Sequence, residues 1–399
     1  MSLQDSNDPI VFTGMSRTPI GNFQGELSPL SGPQLGGFAI NSALEKSQIS
    51  GEEVEDVIMG CVLSAGLGQA PARQAALNGG IPLSAGSTTI NKMCGSGMRS
   101  VMIAHDQLIA DSSKVIVAGG FESMSNAPYL LDKARSGYRM GNSKIYDHMF
   151  VDGLEDSIDS PGKLMGGFAE DTAQQYQLTR EQQDEFAIES LRRARKANED
   201  GSFSEETVSV NVKTRKEEKE IKFDELPFKA QLDKIPRLRP AFREDGTVTA
   251  ANSSAISDGA AAIVMMRDSE AKKRKLKPIA KVIGHATHSQ EAALFTTAPV
   301  GAITKLFSKT GLSKEKVDLF EVNEAFAVVT MVAMKDIGIS SDITNINGGA
   351  CALGHPIGAS GSRILVSLYH ALKNNNLKIG VAGICIGGGE ATAMAIEII

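Results

Sequence analysis

The sequence predicts an α/β fold built from two related halves, and three observations carry that reading. Short apolar runs rich in β-branched residues alternate with longer stretches of helical periodicity. Glycines cluster where those runs end, and the 40 glycines make up about 10% of the chain, above the usual ~7%. Finally, a strand–glycine–helix device in the first third recurs in the last third, as an internal duplication would produce. The alternation implies a mostly parallel sheet with helices on both faces.

The composition sets limits on function. With 399 residues, 42% of them hydrophobic, the chain can bury a large core and make two or three domains. A net charge of −6 argues against nucleic-acid partners. There is no run of 18 apolar residues and hence no membrane span, and residues 1–8 lack a signal-peptide apolar region. The four cysteines, Cys61, Cys94, Cys351 and Cys385, are scattered, with neither disulfide-framework nor metal-pair spacing. A reducing, cytoplasmic setting and no resident metal are the expectations.

Taken in order, Ile10-Val11-Phe12 reads as a first strand and 35–46 as a helix. A buried strand follows at 57–62, then a helix with Pro71 in its first turn. Residues 88–98 read as strand, tight turn and helix, and 114–120 as a strand ending in glycines. From Phe121 to about Val248 the texture turns polar, with a charged helix at 181–198 and a solvated charge run at 213–220, as in an insertion. The glycine–alanine texture then returns, and 272–277 reads as an exposed basic helix end. A second alternating series begins with a strand at 280–284. Next come a strand entering a helix at 317–326 and a strand–glycine–helix unit at 343–356. Val381 to Ile386 forms the last run, matching 115–120 of the first half.

Cys94 sits between Met93 and Gly95, at or near a helix N-terminus. Unpaired N–H groups and the helix dipole favour a thiolate there, and Gly95 and Gly97 would let a thioester approach the backbone. A buried structural cysteine fits the same pattern. His355, held between Gly354 and Pro356, is a candidate base, Asn323 stands at a strand–helix turn, and Cys385 precedes Gly387-Gly388-Gly389. That glycine run lacks the spacing of a phosphate loop. His105, His148, His285, His288 and His370 have no comparable setting, and Cys351 reads as packing.

Four ordered motifs, Asn91-Lys92-Met93-Cys94-Gly95-Ser96-Gly97, Asn323-Glu324-Ala325-Phe326, Gly354-His355-Pro356-Ile357-Gly358 and Cys385-Ile386-Gly387-Gly388-Gly389, resemble those of the thiolases along almost the whole chain. The resemblance implies a five-layer α-β-α-β-α fold. Its N-terminal half would span 1–124 and 249–277 and its C-terminal half 278–399. A loop domain at 125–248 would bind coenzyme A and form tetramers. It also implies reversible Claisen condensation of two acetyl-CoA to acetoacetyl-CoA, with coenzyme A as substrate and product and no permanently bound cofactor. In those terms Cys94 takes the acyl group. His355 activates it and, with a water held by Asn323, stabilises the enolate oxygen. Cys385 moves the α-proton, and the N–H groups of Cys94 and Gly387 form an oxyanion hole. Ser254 and Ala325 would contact the coenzyme A moiety.

Within the family, the stretch from Asn126-Ala127-Pro128-Tyr129 to Asp152-Gly153-Leu154 resembles the tetramer-forming region of acetoacetyl-CoA thiolases, and Met165 and Phe295 match their short-chain pocket. Leu164, Thr296 and Phe186 stand where those relatives carry a histidine, a proline and a potassium-binding tyrosine. Three other readings are a broad-range degradative 3-ketoacyl-CoA thiolase, a decarboxylating ketosynthase and a non-catalytic acyl-CoA or lipid carrier. The ketosynthases have histidine or asparagine where Cys385 stands, and a carrier would not need all four reactive side chains.

Overall fold

The computed structural model describes residues 8–215 and 217–399, so the first seven residues and Lys216 of the charge run lie outside it. The first half contributes β1 (Ile10–Arg17), α1 (Gly32–Ser47), β2 (Asp56–Gly60), α2 (Pro71–Asn78), β3 (Gly86–Ile90), α3 (Ser96–Ile109) and β4 (Val115–Ser123). An inserted block carries α4 (Met165–Tyr176) and α5 (Arg180–Glu199), and the half closes with β5 (Ser257–Arg267) and α6 (Asp268–Lys273). The second half runs β6 (Ala280–Ser289), α7 (Ala298–Thr310), β7 (Leu319–Val322), α8 (Ala327–Ile337), α9 (Ile357–Asn374), β8 (Ile379–Ile386) and β9 (Glu390–Ile398).

Strand order displays the duplication. The sheet reads β3-β2-β4-β5-β1-β6-β9-β8-β7. Outward from its centre, the first half runs β1, β5, β4, β2 and the second β6, β9, β8, β7, with the same sequence of pairings: antiparallel, antiparallel, then parallel. The halves meet through β1 and β6 at only two register positions, Val11 with Lys281 and Phe12 with Ala280.

The expectation of a mostly parallel sheet is wrong. Strands β5, β1, β6 and β9 all pair antiparallel. Alternation of strand and helix implies parallel pairing only where a helix makes the crossover. Here β5 returns after the inserted block, and β9 returns through a tight hairpin. Gly388 and Gly389 hold φ of 91° and 84° in that hairpin, a region open to glycine. A strand expected at 343–347 is also absent. One parallel bridge remains, Thr344 to Phe320. Asn345, at φ 48°, replaces the ladder with its side chain. Its Oδ1 accepts from the Val322 N–H at 2.8 Å and its Nδ2 donates to the Val322 carbonyl at 2.8 Å.

Three apolar clusters define the layers. The central one joins Met98, Val101 and Met102 of α3 and Ile364, Leu365 and Leu368 of α9 to the inner faces of both half-sheets. A second packs α1 and α2 on the outer face of the first half, and a third packs α7 and α8 on the outer face of the second. The layering is therefore α-β-α-β-α. The insertion is tied to this frame by Arg17 of β1. Its fully buried guanidinium pairs with Glu206 at 2.5 Å and Asp224 at 2.7 Å, and lies 4.7 Å from the Phe203 ring centroid. In the charge run, Val210–Lys213 and Glu218–Ile221 form a hairpin whose described outward residues are exposed.

Candidate active site

Cys94 lies on the turn between β3 and α3, one residue before the helix cap Gly95. The turn is held locally. Asn91 Oδ1 accepts from the Met93 N–H, and Ser96 Oγ accepts from the Lys92 N–H while donating to the Met93 carbonyl. That bonding supports Met93 at φ 46°. The glycines also serve the packing. A Cβ on Gly97 would lie 2.7 Å from the Ser362 backbone nitrogen, and one on Gly95 2.3 Å from the Ile386 side chain. They make room for α9 and β8.

The balance at the thiol also departs from the sequence reading. Burial pushes Cys94 up to about 11, outweighing the N–H groups of Gly387 and of Cys94 itself, which favour the thiolate. The Glu122 charge pushes the same way. Glu122 is buried beneath the site and accepts from the N–H groups of Val62, Leu63 and Gly358 at 2.9–3.1 Å. Burial raises its carboxyl to about 7 against those bonds.

His355 sits in the tight turn before α9. Gly354 takes φ 106°, and a Cβ there would meet Ser257 Oγ at 2.0 Å, so the turn requires glycine. The His355 Nδ1 lies 2.5 Å from Ser360 Oγ, which itself donates to the Pro356 carbonyl. With its own proton so used, Ser360 accepts from Nδ1–H. The tautomer therefore leaves the Nε2 lone pair open, and Nε2 is buried with no hydrogen-bond partner in the protein. Burial, reinforced by the Arg363 charge, lowers the imidazole to about 3, so it is neutral.

Asn323 follows β7. Its N–H donates to the Gly383 carbonyl, Oδ1 accepts from Arg363 Nη2 at 3.2 Å, and the buried Nδ2 has no protein partner. Arg363 also pairs with Glu321 at 3.1 Å. The following Glu324 is buried and accepts from Ser190, Asn345 and the Cys351 N–H, which pins the loop. Cys351 is buried, its N–H held by Glu324.

Cys385 is fully buried near the end of β8. Burial and the nearby Cys94 hold its thiol well above the ordinary value. It shares one apolar cluster with Ala325, Phe326, Phe168 and Phe295, against which Met165 and Phe242 pack. Phe295 meets Phe168 and Phe326 edge to face, at centroid distances of 6.3 and 6.4 Å. The Met165 sulfur stands 3.5 Å from where a Gly387 Cβ would be. Thr296 finds a partner in the Thr172 hydroxyl at 2.6 Å. Ser254 and Ala325 are brought together, the Ser254 N–H donating to the Ala325 carbonyl at 2.9 Å.

The site thus sets a half-buried thiol against two N–H groups and beside a second buried thiol, and Ile357, two residues after the neutral imidazole with its open lone pair, packs in the same apolar cluster as Cys94. Such a set can store an acyl group and move a carbon-bound proton. Sequence reasoning missed Ser360, Arg363 and Glu122. Ser360 and Arg363 fall in the first two turns of α9, and Glu122 lies within β4, just after its glycines.

Comparison with known proteins bears on this arrangement. The family profile described as thiolase, N-terminal domain, matches residues 10–269, and that for the thiolase C-terminal domain matches 276–398. The chain is 47% identical to an acetyl-CoA acetyltransferase of Escherichia coli (strain K12), over 97% of this chain and 98% of that protein. It is 46% identical to a probable acetyl-CoA acetyltransferase of Dictyostelium discoideum, over 98% of this chain and 94% of that one. Among solved structures, the Acat5 thiolase of Ascaris suum in complex with coenzyme A matches with a TM-score of 0.93 and 41% identity, covering 98% of this chain and 100% of the other. The Bacillus anthracis acetyl-CoA acetyltransferase matches with a TM-score of 0.95 and 38% identity, covering 98% and 99%.

A half-buried thiol held in its protonated form and a neutral imidazole predict the pH course of Cys94 alkylation. The inactivation rate of the free protein by iodoacetamide should climb about tenfold per pH unit from about pH 7 to 10, following the thiolate fraction. A plateau below about pH 8 would instead show a preformed thiolate–imidazolium pair.

Proposed function

The chain belongs to the thiolase family, and from that premise we propose that it is an acetyl-CoA acetyltransferase, reversibly condensing two acetyl-CoA to acetoacetyl-CoA and free coenzyme A. The observation that carries the reading is the junction at the β8–β9 hairpin. There the Gly387 N–H meets the Cys94 thiol, and Cys385 lies close enough to feel the Cys94 charge.

In the proposed course, Cys94 Sγ attacks the thioester carbonyl of the first acetyl-CoA as its proton passes to His355 Nε2. The N–H groups of Cys94 and Gly387 take the developing oxyanion. The proton then leaves with coenzyme A thiol, and acetyl-Cys94 remains. Cys385 gives its own proton to solvent and, as thiolate, removes an α-proton from a second acetyl-CoA. His355 and a water on Asn323 hold the enolate oxygen, the new C–C bond forms as the Cys94–acyl bond breaks, and the released Cys94 thiolate takes a proton back from solvent. Ser360 is a positioning residue that fixes the imidazole tautomer. Ser254 and Ala325 line the path of the coenzyme A arm, and we assign its docking to the block at 125–248, between the halves at 1–124 with 249–277 and 278–399.

We further propose a homotetramer of paired dimers. Strand β3 ends the sheet with a half-exposed edge, suited to pairing with a second copy. Tyr129, Leu131, Met140 and Ile145 are 69%, 52%, 103% and 66% exposed, an apolar group that needs a partner surface. No helix among the described residues is long and apolar enough to cross a membrane, and all four cysteines are free, which fits a reducing compartment such as the cytoplasm.

Cys385→Ser should still accept acetyl on Cys94 but exchange the α-protons of acetyl-CoA at least about 100-fold more slowly in deuterated water. Normal exchange would move the base role elsewhere. For substrate range, Met165 and Phe295 close the acyl end, and overpacking it costs about 1–3 kcal/mol, roughly a 5- to 150-fold loss. Coenzyme-A-dependent cleavage should therefore favour acetoacetyl-CoA over 3-ketohexanoyl-CoA in kcat/KM, with Met165→Ala relaxing the preference. Equal or rising values to longer chains would indicate the broad-range degradative alternative, and no cleavage at all would favour the carrier reading. Light scattering at micromolar concentration should give a tetrameric mass, and a monomer would rule the assembly out.

A further inference from the structure

Far from the reacting thiols, three metal-ligating side chains converge. His105 and Asp106 stand near the C-terminal end of α3, and His285 stands in β6, 180 residues later in the chain. His285 Nε2 lies 3.2 Å from His105 Nδ1 and 3.0 Å from Asp106 Oδ1, and His105 Nδ1 lies 3.1 Å from the same oxygen. The two imidazoles are buried and perpendicular, with centroids 4.9 Å apart at 88°. The Asp106 side chain is 55% exposed, so one side of the triangle opens to solvent. It is the one group of this kind among the described residues.

We propose that His105, Asp106 and His285 bind one divalent cation of the zinc class, which clasps the first half of the fold to the second. Counting protons supports a cation. A neutral imidazole carries one N–H and an ionised carboxylate none. If both inward nitrogens carry protons, two N–H groups face each other. If only one does, one of the three short contacts has no proton at all. A cation at the centre accepts all three lone pairs at once. The geometry agrees: bonds of about 2.0–2.2 Å in a tetrahedron put ligand atoms roughly 3.3–3.5 Å apart, so the three atoms need spread by only a few tenths of an ångström. Two imidazoles and one carboxylate suit Zn²⁺, Co²⁺ or Ni²⁺ rather than Mg²⁺ or Ca²⁺. Water completes the fourth position on the open side.

The role is structural. His105 is about 16 Å along α3 from Cys94, at 1.5 Å per residue. The ion would fix the helix behind the nucleophile against β6, where the half-sheets otherwise meet through two register positions. Sequence alone conceals the site, because an adjacent His–Asp pair and a distant histidine make no recognisable spacing.

The test uses the full-length protein in its native assembly, stripped by a chelator and titrated with Zn²⁺ by calorimetry and with Co²⁺ by absorption. The expected result is one ion per chain, a Co²⁺ spectrum without thiolate charge transfer, and a rise in Tm with Zn²⁺. His285→Gln and Asp106→Asn should each weaken binding at least about tenfold and lose the Tm rise while cleaving acetoacetyl-CoA normally. Asp106→Asn, at a half-exposed position, keeps the comparison open if His285→Gln folds poorly. Equal affinity in all three proteins, a thiolate band from the cysteines, or no binding at millimolar Zn²⁺ would overturn the proposal.

Discussion

The structure depends on one steric constraint, the backbone-to-backbone contact of α3 and α9 at the centre of the fold. A Cβ on Gly361 would lie 2.3 Å from the Met98 nitrogen, and one on Gly97 2.7 Å from the Ser362 nitrogen. Strand backbones approach just as closely: Cβ atoms on Gly60 and Gly120 would meet the Gly358 carbonyl at 2.7 and 2.0 Å. Backbone atoms cannot swing aside as side chains can, so any larger residue would displace whole elements. With the helices this close, the turns that begin them, one carrying Cys94 and the other His355, open into the same region.

That close packing sets the electrostatics. Water is largely excluded, so each reactive group rests in its neutral form: both thiols protonated and the imidazole deprotonated. Charge is instead kept one step away, on Arg363, which holds Asn323, while Glu122, which holds three backbone N–H groups, is itself pushed up to about 7 by burial. A site poised neutral can let charge appear only as a substrate reacts, where preoriented N–H groups meet it.

The inserted block is coupled to this centre by buried polar bonds as well as by apolar contacts. Arg17 reaches from β1 to Glu206 and Asp224, and Ser190 on α5 reaches Glu324. Breaking a buried ion pair by removing one partner costs roughly 3–5 kcal/mol. These links place the block over the β7 loop, and its own Met165 packs against the cluster that holds Phe295, so any part it plays in holding a thioester arm is transmitted to the residues that face the acyl group.

Much of this could be read in the chain itself. β-Branched runs, helical periodicity and glycine turns are local signals, and they placed the strands around Cys94, the helix after His355 and the repeated order of the two halves. The motifs around Cys94, Asn323, His355 and Cys385 likewise lie in short contiguous stretches. Strand direction did not follow, because pairing depends on how the chain returns, and β5 and β9 return without a crossover helix. The outer strand at 343–347 failed for a similar reason: the Asn345 amide satisfies Val322 in place of a ladder. Ionisation was also undecided, since a cysteine's sequence neighbours reveal its helix terminus but not how much of the fold covers it. Ser360 acts locally, on His355 five residues earlier, but Arg363, Glu122 and the His105–Asp106–His285 triangle act through partners far away in the chain. Only the packing of α3 against α9, and of the half-sheets around them, brings those atoms within bonding distance.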